Sequence, residues 1–109
     1  VFAFFGIGVA PVFEELIFRG FLFKVFAEIW RPAVAIPITA GLFTLLHVPQ
    51  LWGSWAGIVL IFVVGYILAT IRDRSRSIIP GIIVHMSYNG MLFAMYAVST
   101  LVQRGIKAG

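Results

Sequence analysis

Two adjacent carboxylates interrupt the first apolar stretch of the sequence. Glu14 and Glu15 lie in the run from Pro11 to Gly20, where Arg19 is the only other charged residue. An ionised carboxylate at the centre of a bilayer costs about 2.5 to 3.5 kcal/mol on insertion scales, so such residues usually pair or serve a function. A carboxylate desolvated among apolar groups is suited to taking a proton from water.

The two glutamates differ in the partners that their own helix offers. Glu15 and Arg19 are four residues apart and share a helix face, so we expect an ion pair between them. Glu14 is rotated by about 100° from Glu15 and has no such local partner. Either both acids pair with Arg19 to hold the protein together, or Glu14 is free to act on a substrate.

Two histidines stand alone in uncharged stretches, His47 in residues 32–71 and His85 in residues 77–103. His47 ends the segment Phe43-Thr-Leu-Leu-His47, with Phe43 one turn earlier on the same face. His85 precedes Asn89 by four residues, so both side chains project from one helix face and could converge on a substrate carbonyl. The structural alternative is a hydrogen bond between helices, with Asn89 as the partner of His85.

The elements that must position these side chains are membrane helices. The chain of 109 residues is 61% hydrophobic and 11% charged, which is outside the range of soluble domains. A crossing needs roughly 20 apolar residues, so residues 32–71 are long enough for two crossings and residues 77–103 for one. The sequence predicts an all-α, polytopic transmembrane helix bundle of about four helical segments.

Prolines, serines and charges set the predicted boundaries. We expect helices over residues 1–29, 33–48, 54–73 and 77–102, with a kink or split near Pro11 and an N-cap at Ser54. Because the sequence opens inside an apolar run, we expect a single domain over residues 1–109 that is a fragment of a larger bundle and lacks N-terminal helices. Cysteine is absent, so no disulfide or thiolate metal site is available.

Basic residues indicate how the bundle is oriented. Five of the eight basic residues lie in or flank two predicted loops: Lys24, Arg31, Arg72, Arg74 and Arg76. The positive-inside rule assigns both loops to the cytoplasm and the turn that carries Trp52 to the far interface. No basic stripe interleaved with aromatic residues is present, so the net charge of +4 indicates contact with lipids and not with nucleic acid.

Depth tests whether the candidate side chains can meet. At about 1.5 Å per residue from the cytoplasmic ends, His85 lies about 12 Å deep, Glu14 about 15 to 20 Å and His47 about 24 Å. All three fall inside the bilayer. His47 requires helix tilt or a shortened second helix to join the other two.

Three motifs in this order resemble the CAAX protease and bacteriocin-processing (Abi) family, which includes the type II CAAX prenyl endopeptidases. They are Glu14-Glu15-Leu-Ile-Phe-Arg19, Phe43-Thr-Leu-Leu-His47 and His85-Met-Ser-Tyr-Asn89. Each motif alone is weak, but order, spacing and membrane context together are specific. The motifs span nearly the whole chain.

The resemblance implies an intramembrane endopeptidase that uses activated water. Glu14 would be the general base, with His47 as its partner, while His85 and Asn89 would stabilise the oxyanion. Glu15 and Arg19 would orient the site. The substrate would be a peptide or protein within or at the membrane, cleaved near its C-terminus; a prenylated CAAX tail is the family's best-known substrate.

A metal is a separate question. Relatives are commonly described as metalloendopeptidases, and a zinc ion would take Glu14, His47 and His85 as ligands. The His-Glu-x-x-His signature is absent, and an asparagine such as Asn89 is a poor zinc ligand. We therefore expect metal-independent hydrolysis and predict no cofactor, with zinc kept as the alternative.

Two other functions fit the same residues. One is a non-enzymatic membrane scaffold or bacteriocin self-immunity protein that keeps the motifs for folding or partner binding. The other is a small transporter or channel with Glu14, His47 and His85 on a proton or ion path. The paired broken helices typical of transporters are not visible in the sequence. The expected location is the plasma membrane of a prokaryote, or the endoplasmic reticulum membrane of a eukaryote.

Overall fold

A computed structural model describes residues 1–109 as four helices without strands. Helix α1 is a continuous helical run of five segments: Phe2–Phe4, Phe5–Val9, Ala10–Glu15, Leu16–Leu22 and Phe23–Ile29. Helix α2 is Pro32–His47, α3 is Trp55–Ser75 and α4 is Ile79–Ala108. The predicted all-α bundle of four helical segments is confirmed.

The predicted boundaries hold to within two residues, except at one helix end. Helix α4 continues to Ala108, six residues beyond the predicted end at Val102. Arg104 and Lys107 mark the end of the apolar stretch, but neither residue disfavours helical backbone. The expected N-cap at Ser54 is confirmed, since its Oγ accepts a hydrogen bond from the Gly57 N–H at 3.3 Å.

The sequence predicted a kink or split near Pro11. In the structure, helix α1 continues through this residue without a split. The backbone instead widens to a π-helix in two segments, Phe5–Val9 just before the proline and Leu16–Leu22 after the glutamates. In a π-helix each N–H bonds to the carbonyl five residues earlier, and such segments are frequent at functional sites. The helix thus absorbs Pro11 by changing its hydrogen-bond pattern.

Two helices are long and apolar enough to cross a membrane, Trp55–Ser75 and Ile79–Ala108. Helix α2 is apolar but has only 16 residues. At 1.5 Å per residue it is about 24 Å long, which is short of the roughly 30 Å hydrocarbon core. Its length equals that of the predicted helix over residues 33–48, so a shortened second helix does not account for the depth of His47.

Helices α2 and α3 approach each other closely at Gly65. A Cβ atom there would lie 3.4 Å from the Cα of Ala40 and 3.1 Å from the Phe43 ring. Small residues at a crossing let two backbones pack tightly without a hydrophobic driving force from water. This crossing brings the α3 backbone next to the buried side chains of α1.

Candidate active site

Glu15 and Arg19 form the expected ion pair, and both side chains are completely buried. Arg19 Nη1 lies 3.0 Å from Glu15 Oε1. The other terminal nitrogen, Nη2, donates to the carbonyl of Gly65 at 3.1 Å. The guanidinium carbon also lies 4.5 Å from the centre of the Phe43 ring. Arg19 therefore contacts α2 and α3 as well as its own helix.

His85 lies between the two glutamates. Its Nδ1 is 2.8 Å from Glu15 Oε1, and its Nε2 is 3.2 Å from Glu14 Oε2. An ionised carboxylate only accepts, so each contact is a hydrogen bond when the His85 nitrogen that faces it carries a proton. The partners of His85 are therefore the carboxylates of Glu14 and Glu15. The structural alternative predicted from the sequence was a hydrogen bond with Asn89 instead.

The exposure of the two acids differs as their expected roles do. The Glu15 side chain is 0% exposed, but that of Glu14 is 32% exposed. Glu15 shares one oxygen between Arg19 and His85, so it is fixed by two donors. Glu14 contacts His85 from one side and remains accessible to a small molecule.

The second oxygen of Glu15 lies at the start of α4. Glu15 Oε2 is buried and has no hydrogen-bond partner. A Cβ atom on Gly81, in the first turn of α4, would lie 3.1 Å from this oxygen. The positive end of a helix dipole stabilises a nearby carboxylate by about 0.3 to 2 kcal/mol. Gly81 lets the carboxylate reach that end of the helix.

His47 has a different environment from His85. Its Nδ1 lies 2.7 Å from the carbonyl oxygen of Phe43, one turn earlier in α2. Since a carbonyl only accepts, Nδ1 is the donor, and Nε2 of the neutral ring is left as an acceptor. The rings of Phe43 and His47 lie 4.5 Å apart, as their shared helix face predicted. His47 can therefore accept a proton or orient water through Nε2.

Asn89 is bound to the backbone of α1. Its Nδ2 donates to the carbonyl of Gly6 at 2.9 Å. This carbonyl lacks a donor in its own helix, because the Ala10 N–H bonds to Phe5 and Pro11 has no N–H. Gly6 also permits the close approach of α4, since a Cβ there would lie 2.9 Å from the Phe93 ring. One amide hydrogen of Asn89 is thus committed and the other is free.

A cavity of about 340 Å³ joins the four predicted catalytic residues. Glu14, His47, His85 and Asn89 all line it. Most of the remaining wall is apolar. The volume lies at the lower end of the roughly 300 to 1,000 Å³ typical of ligand sites. The structure therefore brings the three sequence motifs to one cavity.

A known protein family matches most of the chain. A model of the type II CAAX prenyl endopeptidase Rce1-like family matches residues 1–91, which include all three motifs. The chain belongs to this family. Rce1-like proteins are integral membrane proteins, in keeping with the two long apolar helices.

A curated relative of the Rce1-like chain comes from a bacterium. The UPF0177 protein YbdI of Lactococcus lactis subsp. lactis (strain IL1403) is 28% identical over 90 residues. The match covers 83% of this chain and 46% of YbdI, so the chain spans about half the length of that relative. No solved structure matches the chain.

The sequence left a zinc ion, held by Glu14, His47 and His85, as the alternative to a metal-free site. No group of three or more His, Asp or Glu side chains is positioned to hold a metal ion. Of the three alternative zinc ligands, His85 has both ring nitrogens against the carboxylates of Glu14 and Glu15. His47 lines the same cavity, but the three side chains do not converge on one point.

Sequence reasoning missed several residues that shape the site. Gly65 and Gly81 create the space and the acceptor that Glu15 and Arg19 use. Gln50 and Tyr88 also line the cavity. Small residues inside apolar helices indicate close helix approach, so the glycines carried a usable signal. Gln50 and Tyr88 could be noticed in the sequence only as rare polar residues in uncharged stretches.

Proposed function

We propose that the chain carries the catalytic site of an intramembrane endopeptidase of the type II CAAX kind. The substrate class is a peptide or protein held at the membrane and cleaved near its C-terminus. The observation that supports this most directly is the shared cavity of Glu14, His47, His85 and Asn89. A partly exposed carboxylate that lines the same cavity as an acceptor nitrogen is suited to binding and deprotonating a water molecule.

In the proposed reaction, Glu14 takes a proton from water while His47 orients that water through Nε2. The water oxygen attacks the peptide carbonyl carbon, and the carbonyl oxygen becomes an oxyanion. The proton held by Glu14 then passes to the amide nitrogen as the peptide bond breaks. No metal enters this scheme, so hydrolysis is expected to persist in the presence of a chelator.

The oxyanion is stabilised by His85 and Asn89 in this proposal. The second amide hydrogen of Asn89 is not used by Gly6. His85 Nε2 is at ion-pair distance from Glu14, and its proton is released from that contact when Glu14 becomes protonated. Fixed donors of this kind are worth about 3 to 4 kcal/mol of transition-state stabilisation. Glu15 and Arg19 hold His85 in place.

The test is cleavage of a membrane-associated reporter peptide by the full chain reconstituted in lipid. Glu14→Gln removes the base and His47→Ala removes its partner, so each variant is expected to lose cleavage by at least about 100-fold. A Tyr96→Phe variant, on the exposed part of α4, serves as the control and keeps full activity. Each reaction is run with and without a chelator.

Three results would oppose the proposal. Full cleavage by Glu14→Gln or His47→Ala would remove the assigned chemistry, and loss of cleavage with the chelator would remove its metal-independent form. An intact wild-type chain that cleaves no peptide would favour the scaffold or self-immunity alternative.

A further inference from the structure

Arg72, which the proposed reaction does not use, reaches the backbone of α1. Its Nε donates to the carbonyl oxygen of Arg19 at 3.0 Å, across 53 residues of sequence. The contact is partly buried, and the guanidinium carbon lies 6.0 Å from the centre of the Phe23 ring. Arg72 stands in the last turn of α3, so it ties the end of that helix to α1.

The Arg19 carbonyl is available because a π-helical segment ends beside it. The N–H of Phe23 bonds five residues back, to Phe18. From Phe23 onward the backbone is α-helical. In an α-helix each N–H bonds four residues back, and this pattern would pair the Lys24 N–H with Gly20. The change of pattern skips Arg19. An unpaired buried carbonyl costs about 1 to 3 kcal/mol, and Arg72 supplies the missing donor.

We propose that Arg72 is a positioning residue that holds the π-helical segment Leu16–Leu22 in register. Without the hydrogen bond from Arg72, the segment can relax from π-helix to α-helix. Its wide turn then holds one residue fewer. The two ends of α1 then rotate against each other by about 100°. Glu14 and Glu15 would leave their present alignment with His85. This inference rests on the proposed function for its catalytic consequence, but the register itself can be measured separately.

Substitutions at Arg72 and at the neighbouring Arg74 separate the effect of the hydrogen bond from the effect of charge. Arg74 is exposed and lies at the same helix end, so it adds the same charge to the loop as Arg72 does. Its side chain makes no hydrogen bond. At Arg72 itself, glutamine has a nitrogen at the position of Nε and no charge, whereas methionine has similar length and no donor. Arg72→Gln should therefore behave like the wild type and Arg72→Met should not.

The first measurement reports register and needs no activity. The chain has no cysteine, so a pair can be introduced at Gly20, inside the segment, and Ile78, before α4. A Cβ on Gly20 would lie 3.7 Å from Ile78 Cγ2. Disulfide formation in this pair should be slowed by Arg72→Met and unchanged by Arg72→Gln or Arg74→Met. Equal rates in all variants would overturn the inference.

The second measurement is reporter cleavage in lipid. Loss of one hydrogen bond that aligns the site should lower kcat by about tenfold in Arg72→Met with little change in KM. Arg72→Gln should recover most of this loss, and Arg74→Met should match the wild type. If Arg72→Gln is as slow as Arg72→Met, charge is responsible and the inference fails.

The two proposals fail differently. Full cleavage by Glu14→Gln overturns the proposed function, while the disulfide rates still decide whether Arg72 sets the register. Conversely, an inactive Glu14→Gln beside an unaffected Arg72→Met leaves the proposed function standing and overturns the role of Arg72.

Discussion

At the scale of single residues, the two histidines of the chain have distinct environments. His85 is 4% exposed and lies between two carboxylates. His47 bonds only to a carbonyl of its own helix. The sequence identified both as isolated histidines in apolar stretches and placed each in one of the three motifs. It did not reveal that His85 contacts Glu14 and Glu15, because that contact depends on how α4 packs against α1.

Arg19 is expected to be the most important single residue for stability. Arg19→Gln leaves Glu15 buried beside His85 with its main cation removed, so the free energy of unfolding should fall by about 3 to 5 kcal/mol. Lys24→Gln removes an exposed cation from the same helix and should change it by less than about 0.5 kcal/mol. Unfolding in detergent micelles measures both. Equal effects would show that the buried pair contributes nothing special.

The Glu15–Arg19 pair could be predicted because both partners lie on one helix, where spacing alone fixes geometry. Their bonds to Gly65 and His85 could not, since these join residues 46 and 70 positions apart. Such contacts depend on helix crossings that no local pattern encodes. The motif order was informative only through resemblance to a family.

At the scale of elements, the crossing of α2 and α3 depends on Gly65. In Gly65→Ala the new methyl group would meet the Phe43 ring and the Ala40 backbone, and overpacking of this kind costs about 1 to 3 kcal/mol. Gly41→Ala in α2 has open space around it and should be neutral or slightly stabilising. Thermal unfolding of both variants tests this. A destabilised Gly41→Ala with an unchanged Gly65→Ala would contradict the packing described.

Helix positions were largely predictable, but the hydrogen-bond pattern inside α1 was not. Apolar length, prolines and the Ser54 cap located the helices to within two residues, apart from the end of α4. Pro11 predicted a disturbance, and the structure has a π-helical segment that ends two residues before it, at Val9. The second segment, Leu16–Leu22, has no proline to announce it. The carbonyl of Arg19 in this segment accepts a hydrogen bond from Arg72, which lies on another helix.

At the scale of the whole molecule, helix α3 is about 32 Å long and separates two loops of different charge. The positive-inside rule predicts that the loop with Arg74 and Arg76 faces the cytoplasm. Single cysteines at Ser75 and Trp52, both exposed, should react with an impermeant thiol reagent from opposite sides of the membrane. Ser75 should react only from the cytoplasmic side. Labelling of both sites from one side would contradict this orientation.

The hydrogen bonds of α1 have a consequence for how the protein is made. Two carbonyls of this helix, on Gly6 and Arg19, are satisfied by side chains 83 and 53 residues later in the chain. During synthesis from the N-terminus, α1 emerges long before Asn89 and Arg72 do. Until Asn89 is present, the carbonyl of Gly6 beside Pro11 is unpaired, and with the two acids this makes the helix unfavourable in lipid by itself. Stable entry of α1 into the bilayer should therefore wait until α3 and α4 have been synthesised.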